Sequence, residues 1–161
     1  MEAILLDMYG VVVKQTGDDF VPFVRRTFPE KPYDEIYDPW LLADVGAIPS
    51  LEIWRRIGFT GDLEKVEKEY LDTIELNDAV LDFLKEAKKH YRLALLSNDS
   101  AEWSRYLRQK FGLDRLFDAV CVSGEQKIAK PDRRVFLWTA EQLGVKPENC
   151  WFVDDRESNL Q

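Results

Sequence analysis

A parallel, doubly wound α/β sheet is the fold class this sequence predicts, and three observations point to it. Short apolar runs, each long enough for one strand, recur at 4–6, 93–96, 118–122 and 150–153. Amphipathic stretches with helical spacing lie between them, and strands alternating with helices imply crossover connections and hence a parallel sheet. The first two runs and the last end on Asp7, Ser97 and the pair Asp154-Asp155, and the third leads through a turn to Lys130. Open α/β sheets hold their ligands at such strand tips.

The first stretch, Ile4-Leu5-Leu6-Asp7-Met8-Tyr9-Gly10-Val11-Val12-Val13, is an apolar run with one carboxylate, then a glycine and a second apolar run. It reads as a buried strand with Asp7 at its C-terminal tip. On these residues alone, an Asp that caps a turn reads equally well. Lys14 to Asp19 is polar and reads as a loop. From there to about Leu76 the pattern is helical. Phe20, Phe23, Val24 and Phe28 share one face, and Ile36, Trp40 and Leu41 continue it, with Pro39 expected to kink or delay the helix. Ser50 is expected to cap a helix carrying Leu51, Ile53, Trp54 and Ile57, which Gly58 and Gly61 end. Asp62 starts another, with Leu63, Val66, Tyr70, Leu71 and Ile74 on one side. An insert of about 60 residues is too long for a connector in a compact α/β domain, so a small helical subdomain is expected over 18–76, with 1–17 and 77–161 forming the core.

Asn77 to His90 is amphipathic, with basic residues at its C-terminal end, where they favour the helix dipole. The strand Leu93–Leu96 ends at Ser97-Asn98, and Ala101 to Phe111 is helical. The strand Asp118–Val122 follows, then a helix opened by Lys130-Pro131-Asp132 with Pro131 near its first turn and closed by Gly144. The strand Cys150–Val153 is the last. All four strands are expected to be buried.

In a parallel sheet these four tips lie on one edge. Three carboxylates, one ammonium and one hydroxyl then converge. Adjacent acids at the end of a hydrophobic strand are costly unless a cation is present. Hard oxygen ligands point to Mg²⁺. Ser97 and the N–H groups after it suit an anion, and Lys130 suits neutralising both that anion and Asp7.

These residues resemble the motifs of the haloacid dehalogenase-like hydrolases: Asp7-Met8-Tyr9-Gly10-Val11, Leu96-Ser97-Asn98, Lys130-Pro131-Asp132, and Val153-Asp154-Asp155 with Asn159 after it. Each motif alone is weak; four in order at strand ends, with a helical insert directly after the first, are specific. The resemblance covers essentially the whole chain. It implies a Rossmann-like core with a small helical cap, a nucleophilic Asp7 that forms an aspartyl-enzyme intermediate, a substrate-binding Ser97, and Lys130 as the orienting cation. It also implies Mg²⁺ held by Asp7, Asp154, Asp155 and the main-chain carbonyl of Tyr9, with Asn98 acting through its backbone amide.

One position departs from the phosphatases of that family, which carry a carboxylic acid two residues after the nucleophile, where this chain has Tyr9. A phenol with a pKa near 10 cannot relay protons near neutrality as a carboxylic acid does. Tyrosine there resembles the 2-haloacid dehalogenases, whose halide leaves unprotonated, but those enzymes lack the acidic pair and need no metal. The expected activity is therefore a Mg²⁺-dependent phosphatase on a small phosphorylated metabolite. The alternatives are a 2-haloacid dehalogenase-like hydrolase, with Arg25 or Arg26 as candidate carboxylate binders, and a catalytically weak member with a binding or regulatory role. The family pattern continues past the acidic pair with one more helix and strand. This chain stops at Gln161, so a fragment and a homodimer whose second protomer supplies the edge are both open readings.

The rest of the composition narrows the partners. The formal charge of −8 with no Lys/Arg run argues against nucleic acid and against anionic membranes. No apolar run approaches the roughly 18 residues of a membrane span. Met1-Glu2-Ala3 lacks the basic start of a signal peptide, and Cys121 and Cys150 read as free thiols, so a cytoplasmic location is expected. His90, the single histidine, reads as a surface residue at a helix end.

Overall fold

β1 (Ala3–Leu6) is buried along its whole length, and the other strands assemble around it. The computed structural model describes residues 2–160. After β1 come α1 (Phe20–Arg25), α2 (Tyr33–Asp44), α3 (Ser50–Ile57), α4 (Leu63–Asp72) and α5 (Asp78–Ala87). β2 (Arg92–Ser97), α6 (Ala101–Phe111), β3 (Ala119–Val122), a short α7 (Ser123–Gln126), α8 (Arg133–Leu143) and β4 (Cys150–Val153) complete the order. The sheet runs β3-β2-β1-β4 with every pairing parallel, as the alternation of strands and helices requires.

Side chains alternate faces along a strand, and the two faces bury different helices. Ile4 and Leu6 of β1 and Leu93 and Leu95 of β2 pack into one apolar cluster with α1 to α6. Ala3, Leu5, Ala94 and Leu96 point the other way, onto Val135 and Leu143 of α8. The helices between β1 and α5 share the first cluster. Phe20, Trp54 and Tyr70 meet Trp103 of α6 with ring centroids 5.0–5.9 Å apart. Glu67 accepts hydrogen bonds from the indole N–H of both Trp54, at 3.1 Å, and Trp103, at 2.7 Å. The insert is thus joined to the sheet layer by aromatic packing and by one carboxylate that satisfies a buried donor from each side.

Three local expectations need correction. Pro39 neither delays nor ends a helix: it lies inside α2, whose buried face of Ile36, Trp40 and Ala43 stabilises the helix beyond the one lost backbone bond. Ser50 is the first residue of α3 rather than its cap; Pro49 precedes it in an extended conformation, and the Ser50 hydroxyl has no partner. Pro131, by contrast, stands next to the first turn of α8 as expected, and Asp132 caps that helix by accepting from the Arg134 N–H at 2.9 Å. β4 is not buried on both faces, because it is the sheet edge: Trp151 is 63% exposed and Val153 41%. Asp62 caps α4 as expected, accepting from Lys65 N at 3.0 Å. Both cysteines are free, Cys121 buried and Cys150 half-buried. The His90 side chain is exposed. No described helix is long and apolar enough to cross a membrane.

Candidate active site

Strand register decides which side chains meet. Leu6 is level with Leu95 of β2 and with Val153 of β4, so Asp7 emerges level with the tips of both neighbours. Its N–H donates to the Val153 carbonyl at 2.9 Å, which holds the start of the Asp154-Asp155 pair beside it. Asp7, Asp154 and Asp155 each place a carboxylate oxygen within 4.8 Å of the others. Lys130 reaches between them from the loop before α8. Its Nζ lies 2.8 Å from Asp7 Oδ1 and 2.6 Å from Asp154 Oδ2, with the lysine side chain 1% exposed.

The neighbours of that ammonium are fixed by hydrogen bonds. The Asn98 side chain braces the Lys130 loop: its Nδ2 donates to the Lys130 carbonyl at 3.1 Å and its Oδ1 accepts the Lys130 N–H at 2.8 Å. Asp154 accepts from Asn159 at 3.0 Å through both oxygens and from the Arg156 N–H at 2.8 Å, besides Lys130. Its carboxylate therefore has few lone pairs left, whereas Asp7 Oδ2 has no hydrogen-bond donor among the described residues. Burial pushes the Asp7 carboxyl up to about 6, despite the neighbouring Lys130. Burial also acts to raise Asp154, but hydrogen bonding and charge from Lys130, with the Arg156 and Asn159 donors, outweigh it and hold that carboxyl below its usual value. Ser97, at the tip of β2, is buried and its hydroxyl has no partner in the protein.

Gly10 explains how Asp155 comes so close to the first loop. Its φ is +72°, and a Cβ there would lie 2.5 Å from the Asp155 carboxyl carbon. A Gly10→Ala variant is expected to suffer both backbone strain and a displaced Asp155. The expected outcome is a stability loss of about 1–3 kcal/mol by denaturant titration.

The Tyr9 hydroxyl is directed at Asp99: the residue is buried, and the hydroxyl donates to Asp99 Oδ2 at 3.5 Å. Burial and then the Asp99 charge push the phenol well above its ordinary value. The pocket at the strand tips is lined from the core by Asp7, Tyr9, Asn98, Lys130, Asp155 and Arg156, and from α2 by Tyr37, Trp40, Leu41 and Asp44. Ser97 and Asp154 are not among its lining residues.

A family model described as haloacid dehalogenase-like hydrolase matches residues 1–161. The chain belongs to the haloacid dehalogenase-like hydrolases. It is 35% identical over 92 residues to the N-acylneuraminate-9-phosphatase of Rattus norvegicus, a match covering 56% of this chain and 37% of the relative. It is 27% identical over 123 residues to the (S)-2-haloacid dehalogenase 4A of Burkholderia cepacia, covering 76% of this chain and 53% of that one. The chain thus spans little more than a third of the rat phosphatase. A HAD family enzyme from Bacteroides thetaiotaomicron, crystallised with magnesium and inorganic phosphate, shares the fold. Its TM-score is 0.79 at 21% identity, covering 99% of this chain and 87% of that one.

Within this family framework the donor set suits a hard divalent ion. It is all oxygen, it contains carboxylates close enough to share one ion, and one of them, on Asp7, has an uncommitted oxygen. The residues that sequence reasoning missed are Asp44, Asp99 and Arg156. Asp44 lies four residues after Trp40 on the same helical face, so an acid on an apolar face was the one available signal. Asp99 and Arg156 each follow a strand end, and nothing in their immediate sequence marks them out from loop residues. Arg25 and Arg26 do not line the pocket; Arg156 does, donating to the Tyr37 hydroxyl at 3.3 Å.

Proposed function

We propose that this chain hydrolyses a small phosphomonoester, with Mg²⁺ held by Asp7, Asp155, Asp154 and the Tyr9 carbonyl, and with residues 18–76 acting as a helical cap over the site. The observation that carries this reading is the juxtaposition of three carboxylates with one buried ammonium at the strand tips. When bound, the ion supplies positive charge against the phosphoryl oxygens and lets two acids share the site.

The chain's own residues divide the work as follows. Asp7 attacks phosphorus through its carboxylate and becomes an aspartyl phosphate. Lys130 holds Asp7 ionised and offsets charge on the transferring group. Ser97, with a free buried hydroxyl, suits a hydrogen bond to a phosphoryl oxygen. Asn98 keeps the Lys130 loop against β2. Asp154, engaged by Lys130 and Asn159, fixes the ammonium as much as it serves an ion. A water then hydrolyses the acyl phosphate. Phosphatases among the relatives, including the phosphorylated carbohydrates phosphatase of Thermotoga maritima, support this substrate class.

Phosphate release from p-nitrophenyl phosphate and from a panel of phosphorylated sugars and acids, with Mg²⁺, tests it. The expected result is turnover that EDTA abolishes and Mg²⁺ restores; turnover indifferent to EDTA would refute the metal-dependent reading.

The dehalogenase likeness and Tyr9 favour a second reading. Its substrate carboxylate needs a cation at the pocket, and Arg156 is placed there where Arg25 and Arg26 are not. Chloride release from 2-chloropropionate without added metal is its test.

A further inference from the structure

Expulsion of an alcohol from a phosphomonoester requires a proton at the departing oxygen, because an alkoxide is a poor leaving group. The pocket contains few groups able to supply one. Asp7 is the nucleophile, and Lys130 is committed to two carboxylates. Arg156 does not give up its proton at any working pH. The Tyr9 hydroxyl is directed at Asp99, and a phenol such as that of Tyr37 relays protons near neutrality far less well than a carboxyl.

Asp44 remains. It is 7% exposed, it lines the same pocket as Asp7 and Lys130, and its Oδ1 is buried without a hydrogen-bond partner. Its backbone is fastened to the core at the end of α2. The Ser123 hydroxyl donates to the Asp44 carbonyl, and Lys127 Nζ donates to the Gly46 carbonyl at 2.7 Å. A buried carboxyl left unpaired and held in place in a pocket needs a use.

We propose that Asp44 protonates the leaving oxygen of the substrate, a role that rests on the phosphatase reading and deepens it. As the Asp7 oxygen bonds to phosphorus, the bond from phosphorus to the leaving oxygen breaks and that oxygen takes the Asp44 proton. Asp44, now a carboxylate, takes a proton from the water that attacks the acyl phosphate. Phosphate departs, Asp7 is regenerated and Asp44 is again an acid.

The groups facing Asp44 are Arg156, Asp7 and Lys130, with Asp99, Tyr9 and Tyr70 near it on the buried side. Burial pushes the Asp44 carboxyl up to about 8 against the opposing pull of Arg156, so it carries a proton at neutral pH. This assignment also confines the choice of substrate, because the leaving alcohol must sit under α2, between Trp40, Leu41 and Arg156.

The experiment measures kcat/KM over a series of alkyl and aryl phosphates for the unaltered chain and for Asp44→Asn and Asp44→Glu. With a proton donor in place, the unaltered chain shows a shallow dependence on leaving-group pKa. Asp44→Asn loses about 10²–10⁴-fold on alkyl phosphates and less than about tenfold on p-nitrophenyl phosphate, whose anion leaves unaided. Asp44→Glu recovers most of the alkyl rate. A steep dependence already present in the unaltered chain overturns the proposal without any variant, as does an equal loss on both substrate types. If the unaltered chain turns over no phosphate at all, the phosphatase reading falls and this one with it. Turnover with a flat Asp44→Asn profile removes this assignment alone.

Discussion

Asp7→Ala is expected to lose phosphate release by about 10⁴-fold or more, as removal of a covalent nucleophile does. The same variant should not unfold. Lys130 keeps its second partner, Asp154, at 2.6 Å, and the backbone bond from Asp7 N to Val153 does not involve the lost side chain. Stability should even rise in metal-free buffer at neutral pH. The Asp7 carboxyl is raised from 3.8 to about 6 by burial, so the folded chain holds a proton that the unfolded chain releases. That contribution to stability is fully present below pH 3.8 and is lost as pH rises through about 6. Above it, the wild-type chain carries a buried charge that the alanine lacks. Thermal denaturation of both chains with EDTA checks this: the variant's advantage should be larger at pH 7 than at pH 4. A nucleophile variant that is both inactive and unfolded would show that Asp7 holds the fold together, and the activity loss would then say nothing about chemistry.

Lys130→Met should fail in both respects. The ammonium is the shared counter-charge of two carboxylates and is itself almost wholly inaccessible. Methionine keeps the aliphatic volume, but it leaves Asp7 and Asp154 facing each other without compensation. Removing one partner of a buried ion pair costs about 3–5 kcal/mol, far more than the pair itself contributes. Denaturant titration at pH 7 should register that loss, and lowering the pH should recover part of it as the orphaned carboxylates take up protons. Phosphate release should vanish along with it. Paired with Asp7→Ala, this variant separates chemistry from stability: one is expected to be folded and inactive, the other destabilised and inactive. Lys130→Met retaining wild-type stability would mean that an ion or water replaces the ammonium.

How much of this was legible in the sequence differs element by element. The four strands, their parallel arrangement and the tips at Asp7, Ser97 and Asp154 follow from apolar runs ended by polar residues and separated by helical stretches, a pattern that consecutive residues write locally. The end of α3 at Gly58 and the Asp62 cap of α4 were legible for the same reason, since backbone conformation and capping are decided by one or two residues. The delay expected at Pro39 does not occur because packing of Trp40 and Ala43 outweighs one missing backbone bond, and packing is not a local property. The exposure of Trp151 and Val153 was misread because an apolar run does not say whether its strand lies inside the sheet or at its edge.

The amino-acid order determined that carboxylates, a lysine and a serine would stand at the ends of strands, because hydrophobic burial is written into consecutive residues. Only the folded chain decided what those groups do to one another. Parallel register set Asp7 level with Asp154, a turn of the loop before α8 brought Lys130 between them, and α2 brought Asp44 into the same pocket. Each of these meetings joins residues dozens of positions apart, and distance along a chain carries no information about distance in space until the elements between have packed.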